Sequence, residues 1–159
     1  MNIGIVGLGL IGGSIGLKLQ RLKHTIYGVT NNNLNKKKAI ERNLANVVSC
    51  DLSILKECSL IILALPIKDL IHPSKDLINA ISKDAIVTDV GSIKEPIIST
   101  WEKIHPLFIG SLEGWIISLI GNANIIREHS FRMLKSQLTM FARFLSMAFF
   151  LFSLLFVTP

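Results

Sequence analysis

Along the first two-thirds of the chain, short apolar runs alternate with stretches of helical periodicity. Residues 2–6 read as a strand, a glycine-rich turn follows, and residues 11–22 read as a helix. A second strand is expected over 25–29, then a polar loop at Asn31-Asn32-Asn33 and a helix over 35–43. A short strand is expected at Val47-Val48, with Asp51 placed to cap a turn of helix running to Lys56. Residues 60–65 are apolar at every position and are stopped by Pro66, which suits a central strand buried on both faces. A helix over 68–81 should be kinked or divided by Pro73. A strand over 85–89, a helix over 94–104 and a last strand over 107–110 complete the readable part. This alternation predicts an α/β domain: a doubly wound parallel sheet joined by right-handed crossovers.

The turn after the first strand is Gly7-Leu8-Gly9-Leu10-Ile11-Gly12. Gly7 permits the tight exit from the strand, Gly9 has no side chain to block a pyrophosphate, and Gly12 lets the helix pack close. The helix start offers free N–H groups and a positive dipole end to phosphate. A strand directly before this pattern and a helix directly after it make it a Rossmann-type dinucleotide fingerprint rather than a loose glycine cluster. The end of the second strand bears on which dinucleotide. An NAD site usually has an acid there, but this chain runs Tyr27-Gly28-Val29-Thr30-Asn31-Asn32, with no acid until Glu41. Thr30 and Asn31 can donate to a 2′-phosphate that a carboxylate would repel, and Lys36-Lys37-Lys38 follow. The expected cofactor is therefore NADP, with NAD the alternative. For each of those lysines the plainer role is the solvated start of a helix.

In open α/β sheets ligands lie beyond the carboxyl ends of the strands. Ala64-Leu65-Pro66 and Thr88-Asp89-Val90-Gly91-Ser92-Ile93-Lys94 should therefore face the cofactor. Ser92 and Glu95 have the spacing of a capping box, with Pro96 early in the helix, which gives Ser92 a structural explanation as well as a chemical one.

Composition divides the chain. Residues 1–111 hold nine of the eleven acids and one of the eight phenylalanines, Phe108; residues 112–159 hold the other seven phenylalanines and only Glu113 and Glu128. The net charge of +6 comes from dispersed basic residues, a poor footprint for nucleic acid but compatible with an anionic cofactor. Cys50 and Cys58 have no metal-type spacing and read as unpaired thiols of a reducing compartment. With no further cysteines and no nearby His pair, no metal is expected; the first residues lack the basic region of a signal peptide, and a cytoplasmic location is expected.

Three segments together resemble the prephenate and arogenate dehydrogenase family of tyrosine biosynthesis: Ile5-Val6-Gly7-Leu8-Gly9-Leu10-Ile11-Gly12-Gly13-Ser14, Ala64-Leu65-Pro66-Ile67 and Thr88-Asp89-Val90-Gly91-Ser92-Ile93-Lys94. Phe108-Ile109-Gly110-Ser111 is similar to the strand that leads into the family's active-site histidine motif. The likeness covers 1–111 and is strongest to cyanobacterial arogenate dehydrogenases, which have a hydroxyl residue at the position of Thr30 and prefer NADP. The resemblance implies an oxidative decarboxylation of arogenate or prephenate. Ser92 matches the family serine that hydrogen-bonds beside the reacting hydroxyl. With the turn, the end of the second strand and the two strand-end segments read above, the expected cofactor contacts are Gly7, Leu8, Gly9, Leu10, Ile11, Gly12, Thr30, Asn31, Ala64, Leu65, Pro66 and Asp89.

The pattern then breaks. The family continues with a His-Pro-Met-Ala-Gly-type motif, whereas this chain has Leu112-Glu113-Gly114-Trp115, so the catalytic histidine position holds Leu112. His105 precedes the last strand and is poorly placed to substitute, and His24, His72 and His129 match no family motif. Nothing after residue 111 resembles the family's second, helical domain, which completes the substrate pocket and joins two subunits. The expected organisation is a dinucleotide-binding domain over 1–111 and a non-family hydrophobic tail over 112–159, produced by frameshift or truncation. Residues 144–157 form an apolar run of 14 residues, short of the ~20 that span a bilayer. Membrane association of the tail is thus the lesser expectation. Two alternatives stay open: a Rossmann reductase of the hydroxyacid type, and a non-catalytic nucleotide-binding remnant with a membrane-associating tail.

Overall fold

The computed structural model describes residues 1–110. Among these residues six parallel strands form one sheet: β1 (Asn2–Val6), β2 (Thr25–Val29), β3 (Val47–Ser49), β4 (Leu60–Leu63), β5 (Ile86–Asp89) and β6 (Phe108–Ile109). Their order is β3-β2-β1-β4-β5-β6, so the chain winds outward from β1 in one direction, returns, and winds outward again from β4. The expected doubly wound Rossmann-type sheet is what forms.

Alternate side chains of the inner strands enter two separate cores. Ile3, Ile5, Ile26, Leu60 and Ile62 pack with Leu19 of α1 (Leu10–Arg21). Val6, Ile61, Leu63 and Val87 pack on the other face. There they meet the 3-10 turn Leu52–Glu57, α3 (Ile67–Ile71), α4 (Lys75–Ala80) and α5 (Lys94–Ile104). Trp101 of α5 anchors this second layer: it is fully buried, donates its indole N–H to the Leu70 carbonyl (2.8 Å) and stacks on Phe108 with centroids 5.7 Å apart.

Several boundaries shift for local reasons. The helix expected from residue 35 is α2 (Asn33–Glu41), because the Asn32 side chain caps it by accepting from the Asn35 N–H at 2.8 Å. Asp51 caps the 3-10 turn through Ser53 as expected. Pro73 divides the 68–81 segment outright, and Ser74 starts α4 by accepting from Leu77 N–H. The apolar run 60–65 pairs only as far as Leu63, so Ala64, Leu65 and Pro66 leave the sheet as a loop. The tail from residue 112 lies outside the described residues, as do Ser111, Leu112 and His129. Among the described residues no helix is long and apolar enough to cross a membrane.

Candidate functional site

Strand register assembles the site. Ser49, Val29, Val6, Leu63 and Asp89 pair in one transverse row across β3, β2, β1, β4 and β5. The chain leaves the sheet just beyond this row at these five strands, and hydrogen bonds hold four of the exits to a neighbouring strand. Gly7 N–H donates to the Val29 carbonyl (2.9 Å), Ala64 N–H to Val6 (2.8 Å), Val90 N–H to Leu63 (3.2 Å) and Thr30 N–H to Ser49 (3.0 Å). The glycine turn, the Ala64-Leu65-Pro66 loop, the Thr30–Asn31 loop and the Ser92 turn therefore share one edge of the sheet. β1 and β4 are the strands between which the winding reverses, the place where doubly wound sheets open a crevice.

The three glycines of the turn do three different things. Gly7 has φ +94°, and any Cβ there would collide with the Ala64 carbonyl oxygen. A Cβ at Gly12 would collide with the Gly7 carbonyl and stand 2.9 Å from the Ala64 Cβ, so α1 sits directly on the loops of β1 and β4. Gly9, the N-cap of α1, is the opposite case. A Cβ there would meet no atom of the described residues within 4 Å, its two chain neighbours apart, and would project into the open in front of the helix. Leu10 and Ile11 follow on the exposed first turn, Leu10 being 89% exposed. Leu8 instead turns inward, into space left by Gly28.

At the end of β2 the Thr30 hydroxyl is turned into its own loop. It is buried, donates to the Asn32 carbonyl at 3.4 Å and lies 3.7 Å from Cys50 Sγ. Asn31 is exposed. Its Oδ1 accepts from Asn32 Nδ2 (3.0 Å) and Asn35 Nδ2 (2.8 Å), while its own Nδ2 makes no hydrogen bond among the described residues. Of this pair, Asn31 is the side chain open to a ligand. Lys37 and Lys38 are exposed on α2, and Lys36 is half-buried.

Cys50 is exposed beside this loop, whereas burial, assisted by Glu57, pushes the Cys58 thiol up to about 11. A thiol-reactive probe at neutral pH should therefore label Cys50 rapidly and Cys58 only on unfolding. Rapid labelling of both would contradict this packing.

On the other half of the edge, the structure replaces the capping box. The N-cap of α5 is Ile93, no side chain among the described residues caps the helix, and Ser92 lies exposed one residue further out. Asp89, expected among the cofactor contacts, is instead fully buried. Its Oδ2 accepts from Gly91 N–H (2.7 Å) and from Lys94 Nζ (2.8 Å), so it shapes the turn rather than facing a ligand. Breaking such a buried pair by removing one partner typically costs about 3–5 kcal/mol. Sequence reasoning missed this pair. The available signal was a lysine in the first turn of a helix, against the dipole, five residues after an acid.

His105 is buried at the opposite end of the sheet. Its Nδ1 accepts from Leu107 N–H (3.3 Å), so the proton is on Nε2, which donates to the Ser82 carbonyl (3.1 Å). It borders a concavity of about 420 Å³ with Ile78, Ile104 and Pro106, remote from the glycine turn. His72 is exposed at the end of α3, and His24 lies near the N-terminal amine. Among the described residues no cluster of His, Cys, Asp or Glu could hold a metal ion.

Comparison with known proteins gives a consistent result. The family described as prephenate dehydrogenase, nucleotide-binding domain, matches residues 15–112. The crystal structure of Synechocystis arogenate dehydrogenase is similar at 40% identity and TM-score 0.60, over 69% of this chain and 40% of that one. Prephenate dehydrogenase from A. aeolicus, in complex with hydroxyphenyl propionate and NAD+, is similar at 30% identity and TM-score 0.62, again over 69% and 40%. Lactate dehydrogenase from Eimeria maxima, at 16% identity and TM-score 0.55 over 70% and 43%, shares the fold alone. No curated protein matches the chain. The chain thus spans about 40% of the length of the arogenate and prephenate dehydrogenases it resembles.

Proposed function

Since the chain belongs to the prephenate dehydrogenase family, through that family's nucleotide-binding domain, we propose that it binds NADP across the carboxyl edge of its sheet. The observation that carries this reading is the open front of Gly9 at the β1–α1 junction. There the N–H groups of the first helical turn and the dipole can meet a diphosphate at close range. The adenosine half would lie toward β2, and the nicotinamide half toward β4 and β5.

The reading favours NADP because among the described residues no carboxylate stands at the end of β2, while the Asn31 amide is exposed there as a donor. Titration with NADPH and NADH is the direct test, and tighter NADH binding would reject the preference. Asn31→Asp sharpens it. An Asp can still accept from Asn32 and Asn35, so the loop is kept while a charge is placed against the 2′-phosphate. The expected outcome is an NADPH affinity about tenfold lower with NADH affinity unchanged or raised. Equal effects on both cofactors would remove Asn31 from the site.

The parent activity we propose is the oxidative decarboxylation of arogenate or prephenate. Bound NADP would supply the hydride acceptor: the hydroxyl-bearing ring carbon is oxidised, the cofactor is reduced, and carbon dioxide leaves as the ring becomes aromatic. Ser92, exposed on the turn after β5, would hydrogen-bond at the reacting hydroxyl. That hydroxyl also needs a proton acceptor, and the residue at the family's histidine position is Leu112, whose isobutyl group can take no proton. We therefore expect cofactor binding with little or no turnover, in a cytoplasmic protein whose 1–111 segment carries the cofactor site and whose 112–159 segment follows a change of reading frame. An assay for reduced cofactor with each substrate checks the first expectation, since robust turnover would contradict it. Reading the downstream DNA in its other frames checks the second, where absence of a His-Pro-Met-Ala-Gly-like continuation would count against it.

A further inference from the structure

Asp89 is the one fully buried carboxylate among the described residues, and one of its oxygens takes two donors at once. Oδ2 accepts from Gly91 N–H at 2.7 Å and from Lys94 Nζ at 2.8 Å, so it ties the turn 90–93 and the first residue of α5 to the end of β5. Lys94 has 12% of its side chain exposed and is the first residue of α5, where a positive charge opposes the helix dipole. No side chain among the described residues caps this helix, so the ion pair takes over the task of fixing where it begins. The turn is also held from beneath: a Cβ on Gly91 would stand 2.6 Å from Ile97 Cδ1 and 3.0 Å from Leu70 Cδ1. Ser92 is the exposed residue of this clamped turn, on the half of the sheet opposite the Thr30–Asn31 loop.

We infer that the Asp89–Lys94 ion pair is a positioning device that holds the Ser92 turn against the nicotinamide end of the bound dinucleotide. The inference rests on the NADP-binding reading above. It separates two kinds of contact on one ligand: those of the adenosine and diphosphate portions, made by the glycine turn and the β2 loop, and those of the nicotinamide, dependent on the pair. Lys94→Met removes the cation with little change of side-chain length, leaves a buried carboxylate without its counter-charge, and releases the turn toward water.

The test uses the full chain with two probes: NADPH, and 2′-phospho-ADP-ribose, which keeps every part of the cofactor except the nicotinamide ring. Lys94→Met should weaken NADPH about tenfold and abolish the blue shift of bound nicotinamide emission, while 2′-phospho-ADP-ribose binds within about twofold of wild type. Lys94→Arg restores a cation that can reach Asp89 and should recover NADPH affinity to within about threefold. The double variant Asp89→Asn with Lys94→Met carries no unpaired buried charge, so it should melt near wild type while keeping the NADPH defect. A Lys94→Met chain that weakens both probes alike, or neither, overturns the inference. So does a double variant that binds NADPH as wild type does. A wild-type chain that binds neither probe is a separate result, visible before any substitution, and it overturns the NADP-binding reading together with this one.

Discussion

Gly9→Val should abolish most cofactor binding and leave the fold standing. A Cβ at this position has no atom of the described residues within 4 Å beyond its chain neighbours, so the branch point of the added side chain is not crowded by them. The isopropyl group instead occupies the space where a diphosphate must approach the first-turn N–H groups, separating charge from donors. Losing charge-assisted hydrogen bonds of that kind is worth about 3 kcal/mol, or roughly 100-fold in Kd. Stability should fall by no more than about 1 kcal/mol, because only a weaker N-cap results. Calorimetric titration with NADPH and a thermal melt on the same sample read both quantities. Unchanged affinity would show that the diphosphate does not approach this glycine.

Gly12→Ala, three residues later, should give the reverse ranking. Its Cβ would collide with the Gly7 carbonyl and crowd the Ala64 Cβ, and both residues are tied by their N–H groups to the ends of neighbouring strands. α1 must move off the sheet, away from the Leu19 and Ile5 packing it covers. An overpacking cost of about 3 kcal/mol is expected, which lowers the melting temperature by roughly 10–20 °C for a domain of this size. Any loss of NADPH binding should follow from that movement and track the stability loss. A Gly12→Ala chain that melts like wild type would mean that α1 does not rest on the Gly7 carbonyl. Two substitutions in one turn thus separate the glycine that leaves room for a ligand from the glycine that leaves room for the protein.

Much of this was legible in the sequence because the governing effects are local or periodic. Buried strands read as unbroken apolar runs, and Asp51 and Pro73 act on their immediate neighbours, so β1, β4 and the break between α3 and α4 could be placed directly. The β1–α1 turn was legible because its glycine spacing follows a strand and opens a helix. Contacts between distant segments were not legible in the same way. A Cβ on Gly16 would strike the Leu44 carbonyl, and Leu8 fills the space beside Gly28, yet neither glycine announces its partner. A glycine inside a strand such as β2 signals close approach without saying of what.

The site shows the same division. Ser92 and Glu95 have a capping spacing, but the Asp89–Lys94 pair wins the helix start, and spacing cannot rank a capping hydroxyl against an ion pair buried five residues apart. Thr30 and Asn31 both read as donors. Which of them faces outward is decided by Cys50, just past β3, and by the Asn32–Asn35 cap at the start of α2. The family, by contrast, was readable from order and spacing alone, since three separated motifs had to agree.

The central claim, that the amide-lined start of α1 grips a nicotinamide dinucleotide, is tested most directly by titrating NADPH into the purified full chain and following nicotinamide fluorescence. The account predicts a saturable rise in emission at one cofactor per chain, reversed by adding 2′-phospho-ADP-ribose. Emission that stays proportional to added cofactor up to millimolar levels, with NADPH and NADH alike, would contradict it.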